Sequence, residues 1–220
     1  MASVSSRAGR GWRSSPPKAA AATSLALAGL TLTALAATAL AATALAAPAT
    51  LTGFLLRSGE QTGFRVRTRP ATQTSVAAFV KSSGGTKRQK LTETAQLLKE
   101  GFVAASDEQL GATHGRQGFS LAIEFTSPAG AEAGAGDRFT TAFTQQKGAK
   151  LSRFRIKAVP SARGVLARYP GGTSTANVYW TEGQCAFGSG DLVAKQAGSV
   201  VPPVVAGVKR LYKRTGGTCP

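Results

Sequence analysis

Between Phe119 and Thr126 apolar and polar side chains alternate without a break. Phe119, Leu121, Ile123 and Phe125 fall on one side, and Ser120, Ala122, Glu124 and Thr126 on the other. A period of two predicts a strand with one face buried and one wetter. The rhythm recurs in Phe64–Arg69, where Phe64, Val66 and Thr68 oppose Arg65, Arg67 and Arg69. It returns in Arg153–Val159, where Phe154, Ile156 and Ala158 oppose Arg153, Arg155 and Lys157. Leu55-Leu56 predicts a short strand that ends at Ser58-Gly59-Glu60, and Phe102–Ala105 and Gly164–Tyr169 predict two more. Thr175–Thr181 and Gln184–Gly188 flank Glu182-Gly183, a two-residue spacer of the kind that closes a hairpin.

Helical segments separate these runs. Thr74-Ser75 caps a short helix over Val76–Lys81, and Ser82–Lys90 reads as a polar, flexible loop. Thr92 caps a second helix, Glu93–Glu100, which Gly101 stops. Ser127-Pro128 opens a third, running to about Phe143. Gly130, Gly134 and Gly136 weaken that helix, by about 1 kcal/mol each relative to alanine. Either its small face packs tightly on the sheet or its first half is irregular. Pro202-Pro203 opens a last helix, with Val204, Val208 and Leu211 at helical spacing and Gly216-Gly217 at its end. Antiparallel strands interrupted by separate helices define an α+β domain. The expectation is one antiparallel sheet of about five to seven strands, covered by helices on at least one face.

The longest apolar run has neither period. No charged residue occurs from Ala19 to Ala47, and the run holds three copies of Thr-Ala-Leu-Ala-Ala. Arg7, Arg10, Arg13 and Lys18 precede it, and Ala44-Leu45-Ala46 forms a small-x-small site ahead of Ala47. A basic leader, an apolar stretch and a small-residue site, in that order, read as a secretory signal peptide, residues 1–46, cut between Ala46 and Ala47. Left uncut, a run of this length makes a single-pass anchor. Either way residues 47–220 form one domain outside the cytoplasm. No cysteine follows the run to accept a lipid, and no adjacent arginines mark twin-arginine export.

Charge narrows the partners. Four of the 27 basic residues and none of the ten acidic ones precede residue 47, so the exported part carries +13. Such a surface attracts polyanions, and export makes an anionic envelope polymer or membrane surface the nearest of them. The two cysteines, Cys185 and Cys219, allow one intramolecular pairing, and an exported chain with an even count is read as disulfide-bonded.

Patterns for catalysis are missing. His114, in Gly111–Gly115, is the only histidine, so a histidine-based metal site lacks its second imidazole. There is no Gly-x-Ser-x-Gly, and Gly188-Ser189-Gly190 reads as a strand exit. Glu124, Glu182 and Asp191 are candidate carboxylates by type only, with no spacing that makes them converge. No phosphate-loop, dinucleotide or other cofactor motif is present. The expectation is a non-enzymatic protein with no cofactor and no metal.

What remains is basic. Arg65, Arg67 and Arg69 form one cluster and Lys87, Arg88 and Lys90 a second. Arg153, Arg155 and Lys157 form a third, and Lys209, Arg210, Lys213 and Arg214 a fourth. If the two arginine-bearing strands are neighbours, six cations share one sheet face, and guanidinium forks match phosphate geometry. Aromatics beside these clusters are sparse, which argues against a base-stacking platform for nucleic acid.

Taken together, the alanine-rich leader, Gly101–Ala105, Pro160–Gly164 and Ala176–Cys185 resemble exported proteins common in high-GC Gram-positive bacteria. The resemblance implies an envelope location. Some exported lipoproteins of that group have a fold similar to the photosystem PsbP proteins, so a sheet between helices is implied too. The missing lipid-attachment cysteine departs from them. The leading function is binding of an anionic partner through arginine-rich sheet faces. Its rivals are a secreted hydrolase with a site of scattered residues and a sensory or scaffold domain on an uncut anchor.

Overall fold

The alternating segments assemble into one antiparallel sheet. A computed structural model describes residues 51–144, 146, 148–193 and 199–219, so the leader and the Ala46–Ala47 bond lie outside the described residues. The strands are β1 (Arg65–Val66), β2 (Ala71–Gln73), β3 (Phe102–Gly111), β4 (Gln117–Phe125), β5 (Lys150–Arg155), β6 (Arg163–Arg168), β7 (Ser174–Glu182) and β8 (Cys185–Val193). Their order is β1-β3-β4-β8-β7-β6-β5, with β2 also pairing on β3. The helices are α1 (Val76–Ser82), α2 (Lys87–Glu100), α3 (Pro128–Thr144) and α4 (Val201–Thr215). This is the expected α+β domain, an antiparallel sheet covered by helices.

Both faces of the sheet are covered, which corrects the reading of β4 as half wet. On one face Ile123 and Phe125 pack with Phe79, Leu97, Ala131 and Ala135 from α1, α2 and α3. On the other, Ala122, Trp180 and Phe187 pack with Val204, Val208 and Leu211 of α4 and with Leu51, Leu55 and Leu56. Ser120 and Ala122, expected on the wetter face, are fully buried. The period of two therefore separates two cores rather than core from water.

Local chemistry explains the other departures. Leu55-Leu56 is buried but is not a strand. Its backbone is satisfied by side chains: Leu56 N–H donates to Ser120 Oγ at 3.0 Å, and the Leu55 carbonyl accepts from Arg214. The second helix starts at Lys87, because Thr86 and Gln89 close a reciprocal capping box. Thr92 Oγ1 instead donates back to the Arg88 carbonyl at 3.1 Å, inside the helix. The hairpin loop is Gly183-Gln184, one residue later than read, since Glu182 pairs with Cys185 and Gly183 takes φ 55°. Strand β8 does not exit at Gly188 but continues to Val193.

The alternatives left open for α3 resolve in favour of tight packing. Ser127 Oγ accepts from Gly130 N–H at its start. Gly130, Ala131, Gly134 and Ala135 form its buried stripe. The Cys185–Cys219 disulfide is present, with Cα atoms 5.7 Å apart, and ties the end of the chain to the start of β8.

Candidate functional site: a cationic edge and an open groove

Strand order decides the fate of the six predicted cations. Arg65, Arg67 and Arg69 lie in or just after β1, at one end of the sheet, and β5 lies at the other. The two arginine strands are not neighbours, so the six charges do not share one patch. The reason is connectivity: β1 pairs with β3 through only two residues, while β5 folds back on β6.

The β5 end gathers cations of its own, Arg153, Arg155 and Arg163 on the face that carries α3 and Lys150 and Arg168 on the other. Lys150 stands directly opposite Arg168, and Arg155 directly opposite Arg163, in the antiparallel register. All four are exposed, as are Arg153 and Lys157. Like charges directly opposite each other destabilise a sheet. Arg153 is oriented by α3, its guanidinium 4.5 Å from the Phe143 ring centroid and 5.7 Å from that of Phe139. Arg155 and Arg163 line a hollow of about 150 Å³ with Ser161, Thr181 and Glu132. Sequence reading found half of this edge. Lys150, Arg163 and Arg168 escaped it because only the β5–β6 pairing brings them across from the others.

One acid, Glu132, stands in that hollow beside Arg155 and Arg163. Of the ten acids, only Glu132 and Asp137 are exposed. Asp191 pairs with Arg116, Glu93 with Arg138 and Glu60 with Arg214. Glu182 accepts from Trp180 and Thr215, and Glu124 accepts from Gln184. The three carboxylates picked by type are thus occupied within the fold and do not converge. Two C-terminal cations are also spent internally. Arg210 donates to the carbonyls of Gly59 and Glu60, and Arg214 to those of Gly53 and Leu55. His114 lies in the short 3-10 turn Thr113–Gly115.

A broad concavity lies on the face that carries α2 and α3. A cleft of about 720 Å³ runs between those helices, floored by Leu121, Asn177 and Tyr179. A second hollow of about 390 Å³ continues over the sheet past Phe119 and Thr175 to Gln109, Gln117 and Arg67. Asn177 lines both. The cleft walls are polar: Gln96 Nε2 donates to Asp137 at 2.9 Å and Arg138 to Glu93 at 3.2 Å. Burial, with the Asp137 carboxylate beside it, pushes Glu100 up to about 7. Burial also pushes the Tyr179 phenol up. Sequence reading missed Glu93, Glu100 and Asp137, whose meeting depends on α2 packing against α3.

No protein-family model and no curated protein matches the chain. Among solved structures, the extracellular domain of PknH from Mycobacterium tuberculosis is similar over 73% of this chain and 93% of that one, at 10% identity and a TM-score of 0.47. At those values the likeness carries neither a fold nor a function across.

Two surfaces therefore stand out chemically. The β5–β6 edge offers clustered, weakly offset cations. The groove offers a polar trough with an aromatic floor. Among the described residues, no helix is long and apolar enough to cross a membrane.

Proposed function

We propose that residues 47–220 act outside the cytoplasm, in the cell envelope, and that the β5–β6 edge holds a phosphate-bearing envelope component. One observation carries the reading. One like-charged pair, Arg155 with Arg163, faces across adjacent strands, and Arg153, two residues along, shares its sheet face; a second pair, Lys150 with Arg168, stands at the far end of the two strands on the opposite face. That arrangement costs stability. A bound polyanion repays the cost, because guanidinium forks donate paired hydrogen bonds to phosphate oxygens. Segregation of the acids supports the same reading, since the exposed surface is more basic than the net charge alone implies. Export rests on the leader, residues 1–46, and on cleavage at Ala46–Ala47.

Charge on an edge strand also keeps it from pairing with another chain, so the test separates the two roles. Binding of the exported protein is measured to soluble polyphosphate, to vesicles of anionic phospholipid and to vesicles of neutral phospholipid, across a salt series. Binding weakens steeply with salt, because exposed charges are screened beyond about 8 Å at physiological ionic strength. Arg155→Glu with Arg163→Glu weakens it far more than Arg65→Glu with Arg67→Glu at the opposite end. Preference for polyphosphate assigns a polymer, and preference for anionic vesicles a membrane surface. Equal losses from both double variants, or no binding by the wild type at low salt, overturn the proposal. N-terminal sequencing of exported material starts at Ala47; full-length chain recovered only from membranes would replace cleavage by an anchor.

A further inference from the structure

We infer that the groove over β4, β8 and β7 binds a linear glycan, with Phe119 and Tyr179 as its stacking floor. The inference begins at two glycines inside a strand. Gly190 pairs directly with Phe119 of β4, and Gly188 directly with Tyr179 of β7. Direct partners across an antiparallel ladder share a face. A methyl group on Gly188 would sit 3.0 Å from Tyr179 Cε1 and 3.4 Å from Phe119 Cε2. One on Gly190 would overlap the Phe119 ring and the Asn177 side chain. The Phe119 ring therefore lies across both glycines, and Tyr179 leans onto β8 from the other side. Glycine inside a strand weakens it and marks a close approach. Here the close approach is two aromatic rings pressed down onto the sheet, and both residues are half-buried.

Polar groups surround this floor rather than an apolar rim. Asn177 stands between the rings, Gln109 and Gln117 at one end, and Gln96 and Asp137 at the other. A planar amide engages two hydroxyls at once, donating to one and accepting from the other, and a carboxylate accepts from two. A sugar ring presents flat C–H faces to an aromatic ring, whose face is electron-rich, and hydroxyls around its edge. The two hollows share Asn177 as a lining residue, and a ligand that reaches both is a chain rather than a compact molecule.

Other occupants fit less well. The cleft has no excess of cations for a nucleic-acid backbone, since Arg88 and Arg138 stand among Glu93, Glu100 and Asp137. An extended peptide recognised by strand addition needs a free sheet edge. The groove floor is built on β4, β8 and β7, interior strands paired on both sides. The inference does not rest on the cationic edge, which lies on β5 and β6.

The test titrates the exported protein, by calorimetry, with hexamers of neutral linear glycans: a β-1,4-glucan, a β-1,4-linked N-acetylglucosamine chain and an α-1,4-glucan. At least one binds the wild type. Phe119→Ala and Tyr179→Ala each weaken that binding about tenfold or more, the scale of losing one stacked ring. Asn177→Ala weakens it less, and Arg155→Glu with Arg163→Glu leaves it unchanged. Circular dichroism confirms that each variant is folded, and Asn177→Ala serves if a ring variant is not. No glycan binding by the wild type overturns the inference, as do ring and Asn177 variants that bind normally. Binding of peptides from a random extended library, with no glycan binding, also overturns it.

Discussion

The indole N–H of Trp180 donates to a carboxylate oxygen of Glu182 at 2.9 Å, two residues further along the same strand. The other oxygen of Glu182 accepts from Thr215 Oγ1 at 3.0 Å. Thr215 ends α4, so one buried carboxylate joins the largest core aromatic to the last turn of the helix over it. Burial raises the Glu182 pKa, against the two hydrogen bonds that lower it. Glu182→Ala leaves the indole N–H and the hydroxyl without an acceptor. The expected loss is roughly 2–4 kcal/mol, read by urea unfolding. Glu182→Gln keeps one acceptor and loses less. An alanine variant as stable as the wild type would mean that burying the charge cancels its bonds.

Three glycines in one helix have opposite expected responses. A methyl group on Gly130 would collide with the Glu100 backbone carbonyl, and one on Gly134 would reach the Phe125 ring at 2.5 Å and Glu100 Oε2 at 3.0 Å. Around Gly136 there is nothing within 4 Å. Gly136→Ala therefore stabilises by roughly 0.5–1 kcal/mol, the helix-propensity gain. Gly130→Ala and Gly134→Ala destabilise despite the same gain, because α3 must lift off α2 and β4. Thermal melts of the three variants decide it, and three stabilisations would refute the tight-packing account.

The same contrast shows what the sequence could and could not reveal. Alternation marked β4 and the second half of β5, which ends at Arg155 where the pattern ran on to Val159, and Ser75, Gly101, Ser127 and Gly216 marked helix ends, because these signals are local. Long-range facts stayed hidden. The Arg65 and Arg153 strands carry the same pattern, yet only strand order separates them by the width of the sheet. Gly188-Ser189-Gly190 read as a strand exit, because glycine is a poor strand former. Its reason for being in the strand is the ring of Phe119, which pairs with Gly190 from 71 residues away, and that of Tyr179, which pairs with Gly188 from 9 residues away. Thr92 looked like a cap because Thr86, six residues earlier, has no apolar periodicity behind it.

Glu108 gives the stability a pH dependence. It is 3% exposed, and among the described residues its Oε1 has no hydrogen-bond partner. Burial pushes its carboxyl up from 4.5 to about 7; Glu60 and Asp107 add to the rise, and Arg214 opposes it. The folded state therefore holds a proton that the unfolded chain has released between those values. Stability falls as pH rises from about 4.5 to about 7, and levels off above. At 1.36 kcal/mol per pKa unit, Glu108 alone contributes up to roughly 3 kcal/mol to that fall. Glu100, raised into the same range, adds to it. Glu108→Gln is expected to be more stable than the wild type near neutral pH and to show a shallower slope in urea unfolding between about pH 5 and pH 8. An unchanged slope would mean that the buried carboxyl stays ionised.

The Cys185–Cys219 bridge closes a loop over 34 positions, which takes in the rest of β8 and all of α4. The chain-entropy model assigns roughly 4 kcal/mol to such a loop, by restricting the unfolded chain. The native helix has other attachments: Val204, Val208 and Leu211 are fully buried, Thr215 bonds Glu182, and Arg214 pairs with Glu60. The doubly substituted Cys185→Ala, Cys219→Ala protein is therefore expected to keep the fold, with an unchanged circular dichroism spectrum, while its urea midpoint drops. Its m-value rises, because an unfolded chain without the cross-link exposes more surface. Peptide mapping without reductant finds the two cysteines of the native protein in one linked fragment. A variant that loses α4 outright would show that the bridge, rather than the buried face of the helix, holds the C-terminus to the sheet.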